Sequence, residues 1–360
     1  MTSPVEPHPA LQTRFNELVG VRYPIVQTGM GWVATPQLAA ATSAAGGLGI
    51  LAAATMTYDE LALAIKDVRE RTDAPFGVNM RADQPDVGDR VDLLIRDGVR
   101  VASFAMAPKQ DLIKRLQDGG VLVIPSIGAK RHAEKVVEWG VDAVLVQGGE
   151  GGGHTGAVPT SLLLPQVVDA VDVPVVAAGG FFDGRGLVAA LAYGAAGIAM
   201  GTRFLLTSDS PVPQRVKDFY LAKAVTDTVV TRQVDGVPHR VLRTDLVERL
   251  EQGHAPGRFL GAARNAMRFQ KLSGTRMRDM LREGLAMRKS QELSYSQVLM
   301  AANTPMLLRA AMVEGNVDLG VMASGQVVGL LEDLPSCADL INRIVTQANQ
   351  VLERLGAPRS

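Results

Sequence analysis

Cysteine is almost missing: the chain of 360 residues has one, Cys337. That excludes both a disulfide framework and a cysteine-rich zinc site. Net charge is missing as well, since 37 Lys and Arg stand against 37 Asp and Glu. A zero balance argues against a general nucleic-acid binder, while leaving room for a local basic patch. No stretch reaches the roughly 20 uninterrupted apolar residues of a membrane span, and the first residues, MTSPVEPHPA, carry no basic-then-apolar leader pattern. The expectation is a cytoplasmic protein that engages neither membrane nor nucleic acid. Aromatic residues make up only 4 %, which is compatible with a cofactor site, since a cage can be built from backbone and aliphatic side chains. No Gly-Lys-Ser/Thr sequence supplies a P-loop, and no HxH, HExxH or cysteine pair supplies a metal site. No metal is expected.

What the chain has in excess is glycine. Its 37 glycines are about 10 %, against a usual figure near 7 %. They gather in Gly29-Met30-Gly31, Gly46-Gly47-Leu48-Gly49, Gly148 through His154, Gly179-Gly180 and Gly201. Between these clusters, short apolar runs recur: PIVQTG from Pro24, LGILAA from Leu48, PFGVNM from Pro75, VRVASF from Val99, VLVIPS from Val121, DAVLVQG from Asp142, PVVAAGG from Pro174 and GIAMGT from Gly197. Without polar alternation, they read as strands buried on both faces of a parallel sheet. Helical segments fill the gaps. Thr57-Tyr58-Asp59-Glu60 is a capping box before the apolar stripe Leu61, Ile65 and Val68. Asp89–Arg96, Lys109–Gln117, Lys130–Trp139 and Ser161–Ala170 follow, and Asp183 caps GRGLVAALAYG.

Eight strand–helix alternations in so short a span predict an α/β fold of the TIM (β/α)8 type. The character changes after Thr202, where Arg, Met and Leu recur at helical spacing. The predicted organisation is a barrel over residues 1–208, a mainly helical, basic insertion or lid over 209–296, and a C-terminal segment over 297–360 that packs back on the barrel.

In a barrel, the glycine clusters fall at the C-terminal ends of the strands, the catalytic face. Glycine there lets backbone N–H groups approach a ligand. Gly179-Gly180 and Gly201 follow the seventh and eighth runs, the usual place for a phosphate, so a phosphorylated cofactor is expected. The run Gly148–Gly153 is not placed in a first strand–helix turn with an acidic partner about 20 residues on, which argues against a Rossmann dehydrogenase. Of the five histidines, His154 alone follows a glycine run at a strand end; His8, His132, His239 and His254 lie elsewhere. A neutral imidazole can take a proton from carbon or return one. Glu150 beside it either accepts a hydrogen bond or simply ends the strand.

The sequence Gln147-Gly148-Gly149-Glu150-Gly151-Gly152-Gly153-His154-Thr155-Gly156 resembles the Glu-x-Gly-Gly-His-x-Gly signature of the nitronate monooxygenase (2-nitropropane dioxygenase) family, which includes flavin-dependent enoyl-acyl-carrier-protein reductases. Pro24 to Met30, Gly46 to Gly49, Asn79, Ala177 to Gly180 and Met200 to Phe204 extend the resemblance in order. It implies a TIM barrel holding FMN without a covalent link. Gly29 and Met30 would lie against the flavin ring, with Asn79 and Gln147 at its polar edge. Gly152 and Gly153 would line the cofactor, and Gly179, Gly180, Gly201 and Thr202 would hold its phosphate. His154 would face the substrate. Ser324-Gly325-Gln326 is similar to the family's returning segment, which would bring Gln326 over the ring.

The first turn departs from the family's Met-Ala-Gly type, and the insertion is longer and more basic. With Phe181 to Gly186 and Leu334 to Cys337, these departures look closest to an actinobacterial branch assigned to steroid C- and D-ring breakdown. That branch dehydrogenates a bicyclic hydroxy-indane carboxyl-CoA thioester. Between His254 and Lys289, nine basic residues face only Asp279 and Glu283, a net +7, which suits the phosphates of CoA or a carrier protein as well as a contact with another subunit. The expected activity is FMN-dependent oxidation at a Cα–Cβ bond of a CoA thioester. The alternatives are nitronate oxidation with O2, an NAD(P)H-dependent enoyl-thioester or quinone reductase, and a catalytically idle scaffold. Whether the chain forms a homo-oligomer stays open.

Overall fold

A computed structural model describes residues 3–105, 107–252 and 304–357. The chain divides into two compact units, one of residues 1–151, 156–211 and 331–360, the other of 152–155 and 212–330.

The first unit is a closed barrel of eight parallel strands in sequence order. They are Ile25–Gln27, Leu48–Ala52, Phe76–Met80, Val101–Phe104, Leu122–Ile127, Val144–Gln147, Val175–Ala178 and Gly197–Met200. Each lies within or overlaps one of the eight apolar runs. The first strand closes the ring on the eighth, with Val26 opposite Ala199. The interior is a packed core: Val26, Ile50, Val101, Ile124, Leu145, Val176 and Ala199 meet there, joined by Phe15 and Val19 from the helix Arg14–Val19. Helices follow the strands as expected: Tyr58–Arg71, Val87–Arg96, Gln110–Asp118, Lys130–Glu138, Thr160–Val168 and Gly184–Ala192. The Thr57 capping box forms, with Thr57 N donating to Glu60 Oε2 at 2.7 Å and Glu60 N to Thr57 Oγ1 at 3.3 Å. Asp183 caps its helix by accepting from Gly186 N at 3.0 Å.

The last helix, Cys337–Gly356, packs on Gly184–Ala192 and on Pro36–Ala44. Its approach is close enough that a Cβ on Gly184 would stand 2.4 Å from the Ile344 carbonyl oxygen, so only glycine fits. Cys337 is fully buried at the start of this helix, with Sγ 3.6 Å from Thr42 Oγ1. Burial pushes the thiol up to about 12.

The second unit holds a three-stranded antiparallel sheet, Thr228–Thr231, His239–Leu242 and Gly153–His154 in that order. Thr228–Thr231 and His239–Leu242 are two strands within a stretch expected to be mainly helical. Helices Gln214–Leu221, Asp245–Glu251 and Thr304–Met312 accompany the sheet. Val234, Val241, Val247 and Val321 form its small apolar core with Leu307 and Leu308. The basic segment from His254 to Lys289 lies outside the described residues. Among the described residues, no helix is long and apolar enough to cross a membrane.

Candidate active site

Parallel strands in a closed ring present all their C-terminal ends on one face, and the barrel unit collects most of the sequence-derived residues there. Asn79, next to last in the third strand, donates from Nδ2 to Ser103 Oγ at 3.3 Å. Its side chain fills the space over Gly29, where a Cβ would come within 2.3 Å of Asn79 Cβ. Gly29 is therefore required by Asn79 itself. A Cβ on Gly201 would sit 3.3 Å from Met30 Sδ, so the turns after the first and eighth strands also touch. Thr202 is buried and opens the short helix Thr202–Leu205. In the first turn, Trp32 holds φ at +64°, the one non-glycine residue in the left-handed region among those described. That conformation costs about 1–2 kcal/mol.

Gln147 ends the sixth strand, and a Cβ on Gly151 would meet its Nε2 at 2.6 Å. Glu150 accepts from Thr160 N at 3.0 Å and from Thr160 Oγ1 at 2.7 Å. Its charge therefore sits at the first residue of the helix Thr160–Val168, where a carboxylate is favoured. Thr160 Oγ1 also lies 3.0 Å from the Gly179 carbonyl oxygen, linking the loops after the sixth and seventh strands. Gly179 and Gly180 hold φ at +93° and +85°. Around Gly180 nothing stands closer to an added Cβ than Glu150 Cβ at 3.8 Å. Backbone conformation alone demands glycine there, and the space beside it is open.

After Gly151 the chain lends four residues to the second unit. A Cβ on Gly152 would come within 2.5 Å of the Ser324 carbonyl carbon, next to Gln326, which opens a 3-10 turn over Gln326–Leu330. Gly153–His154 pairs antiparallel with Arg240 and His239, placing His154 opposite His239. Both imidazoles converge on one carboxylate. Asp235 Oδ2 lies 2.6 Å from His154 Nε2 and 3.4 Å from His239 Nδ1, and Asp235 Oδ1 accepts from Val237 N at 3.1 Å. The two rings are 4.7 Å apart, tilted by 53°. Asp235 and His239 are buried, while 61 % of the His154 side chain is exposed. Burial works to raise the Asp235 pKa, but the hydrogen bonds and charge of the two histidines outweigh it and hold the carboxyl well below the usual carboxylate range.

A family model for nitronate monooxygenase matches residues 12–94 and 88–347. The chain belongs to the nitronate monooxygenase family. Two curated relatives, from Rhodococcus jostii and Mycobacterium tuberculosis, are each 63 % identical over 350 residues, covering 97 % and 96 % of this chain and 99 % of their own length. Both are named (3aS,4S,5R,7aS)-5-hydroxy-7a-methyl-1-oxo-octahydro-1H-indene-4-carboxyl-CoA dehydrogenase. Among solved structures, FabK from Thermotoga maritima is 34 % identical, with a TM-score of 0.77 over 96 % of this chain and 98 % of its own.

As a family member the protein is a flavin-dependent oxidoreductase. The barrel end suits a flavin phosphate: the open cradle at Gly180 is one that a Cβ would fill, and Thr202 stands after the eighth strand. Arg203, the cation of this nitronate monooxygenase-like strand end, is committed elsewhere. Its guanidinium reaches Asp333 Oδ1 at 3.1 Å and donates to the Asp333 carbonyl oxygen at 2.7 Å. Burial lowers its pKa against the opposing pull of Asp333.

Of the residues singled out from the family motif, Gly29, Met30, Asn79, Gln147, Gly179, Gly180, Gly201 and Thr202 lie in the barrel unit, and Gly152, Gly153, His154 and Gln326 in the second. Asp235 and His239 were missed. The available signal was Asp235-Gly236 between TVVT and HRVL, a turn dipeptide flanked by strand-forming runs.

Proposed function

We propose that the protein is an FMN-dependent dehydrogenase of the Cα–Cβ bond of a CoA thioester, acting on a bicyclic hydroxy-indane carboxyl-CoA from steroid C- and D-ring breakdown. The observation that carries this reading is the 63 % identity over nearly the whole chain to the Rhodococcus jostii indene-carboxyl-CoA dehydrogenase. FMN is preferred over a dinucleotide because the glycine turns at the ends of the seventh and eighth strands suit a single phosphate, with Gly179, Gly180, Gly201 and Thr202 as its holders. Gly29, Met30, Asn79, Gln147, Gly152, Gly153 and Gln326 would complete the flavin site.

A thioester carbonyl acidifies the α-hydrogen, and we assign its removal as a proton to His154, which its carboxylate partner equips for that work. The flavin, when bound, supplies the two-electron acceptor for the β-hydrogen, which leaves as hydride while the C–H pair at Cα becomes the new double bond. The protein orients the thioester and moves the proton. Nine basic residues between His254 and Lys289 supply charge suited to the phosphates of CoA.

An anaerobic titration of the flavin-loaded protein with the hydroxy-indane carboxyl-CoA tests the reading. Stoichiometric bleaching of the flavin absorbance is the expected result. Bleaching by propyl 2-nitronate and not by the acyl-CoA would overturn it in favour of nitronate oxidation, and rapid bleaching by NADPH alone would overturn it in favour of a reductase.

A further inference from the structure

We propose that Asp235 is the positioning residue of His154, fixing the imidazole as the Nε2–H tautomer so that Nδ1 is the nitrogen that takes the substrate proton. The proposal rests on the proton-transfer role given to His154 above and assigns the residue that makes the role possible.

An ionised carboxylate offers only acceptors, so the 2.6 Å contact requires the hydrogen on His154 Nε2. In a neutral imidazole the lone pair is then on Nδ1. Once Nδ1 takes a proton, the ring becomes a cation against a carboxylate, a charge-assisted pair in place of a neutral one. Asp235 is equipped for this at both oxygens. His239 Nδ1 and Val237 N hold it at 3.4 and 3.1 Å, His239 is tied to His154 by strand pairing, and Asp235 stands in the turn that joins Thr228–Thr231 to His239–Leu242. Of the titratable groups in this sheet, Arg240 is turned to Thr228, donating to its Oγ1 at 2.9 Å.

The same three side chains carry metal-ligating atoms within 4.8 Å of one another. The short distance decides against an ion. Two ligands of a tetrahedral zinc stand about 3.3 Å apart, whereas Asp235 and His154 are at 2.6 Å, a hydrogen-bond separation.

The test uses the full-length, flavin-loaded protein with Asp235→Asn, Asp235→Glu and His154→Ala. Asp235→Asn is expected to lower kcat for the acyl-CoA about 100-fold while KM and flavin content stay within about twofold, because the base is misdirected and nothing that binds substrate is removed. Asp235→Glu should recover at least about tenfold of that loss. Long-range proton–nitrogen NMR correlations of the histidine rings should place hydrogen on His154 Nε2 in the wild type and lose that signature in Asp235→Asn, a readout that needs no turnover. Wild-type kcat in Asp235→Asn, with His154→Ala inactive, overturns the proposal alone, as does hydrogen on Nδ1 in the wild type. Wild-type turnover by His154→Ala overturns the proton-transfer reading beneath it.

Discussion

Replacing Glu150 separates a structural carboxylate from a chemical one. Glu150 stands in the middle of the glycine-rich signature, four residues before His154, where sequence alone leaves a strand terminator and a hydrogen-bond acceptor equally open. In the structure it accepts from the backbone N–H and the hydroxyl of Thr160. Hydrogen bonds to a charged group contribute about 1.5–3 kcal/mol each, and two made by one side chain add incompletely. The charge at the helix start adds about 0.3–1 kcal/mol. Glu150→Ala should therefore destabilise the barrel by about 3 kcal/mol, and Glu150→Gln, which keeps an oxygen facing Thr160 N–H, by about 1 kcal/mol. At about 2–4 °C per kcal/mol for a unit of this size, the melting temperature should fall about 6–12 °C for Ala and about 2–4 °C for Gln. Circular dichroism and flavin fluorescence, followed in parallel through a thermal melt of the flavin-loaded protein, read both effects. Because the Thr160 hydroxyl also meets the Gly179 carbonyl, flavin release should begin at a lower temperature in the Ala variant. A Glu150→Ala protein that melts like wild type while losing turnover would refute the reasoning and move Glu150 into the chemistry.

Gly180→Ala places a Cβ in open space on a backbone at φ +85°, so its folding cost should be the strain alone, about 1–2 kcal/mol. If the phosphate lies there, flavin affinity measured by dialysis should fall by at least about tenfold, more than the strain-matched control Gly140→Ala, whose φ is +90° at the far end of the barrel. Cys337 should resist a thiol reagent at pH 8 in the folded protein and react fully in denaturant. Its folded pKa of about 12 exceeds the ordinary value of 9, so the stability it contributes is fully present below pH 9 and lost as pH rises from 9 towards 12. A Cys337→Ala variant should show a correspondingly flatter loss of melting temperature over that range.

The barrel was legible because its strands are buried on both sides: DAVLVQG and PVVAAGG became Val144–Gln147 and Val175–Ala178 with no polar alternation to confuse the reading. The helix Pro36–Ala44 went unrecognised for a related reason. Its Ala, Ser and Thr residues have no polar face, since the second strand lies on one side and the helix Cys337–Gly356 on another. Contact there is so tight that a Cβ on Gly49 would stand 2.0 Å from the Ala39 carbonyl oxygen. His154 was found through the glycines before it, a local signal. Its carboxylate partner lies 81 residues away, and strand pairing over that distance leaves no periodicity in the chain. His239 follows no glycine run, and only the register opposite His154 gives it a role.

The excursion of residues 152–155 out of the barrel and back bears on how this protein can be recombined. Residues 212–330 are contiguous and look like a cassette, yet the cassette lacks the edge strand of its own sheet and the histidine that its Asp235 binds. Excised alone, it would carry a bare strand edge along His239–Leu242, with Asp235 beside it deprived of its shortest contact, a recipe for self-association. A chimaera with a relative would have to exchange two pieces at once: the long segment, and four residues taken from the loop after the sixth barrel strand. Substrate preference in this family should accordingly be inherited in paired blocks, with changes around Gly152–Thr155 tracking changes around Asp235–His239.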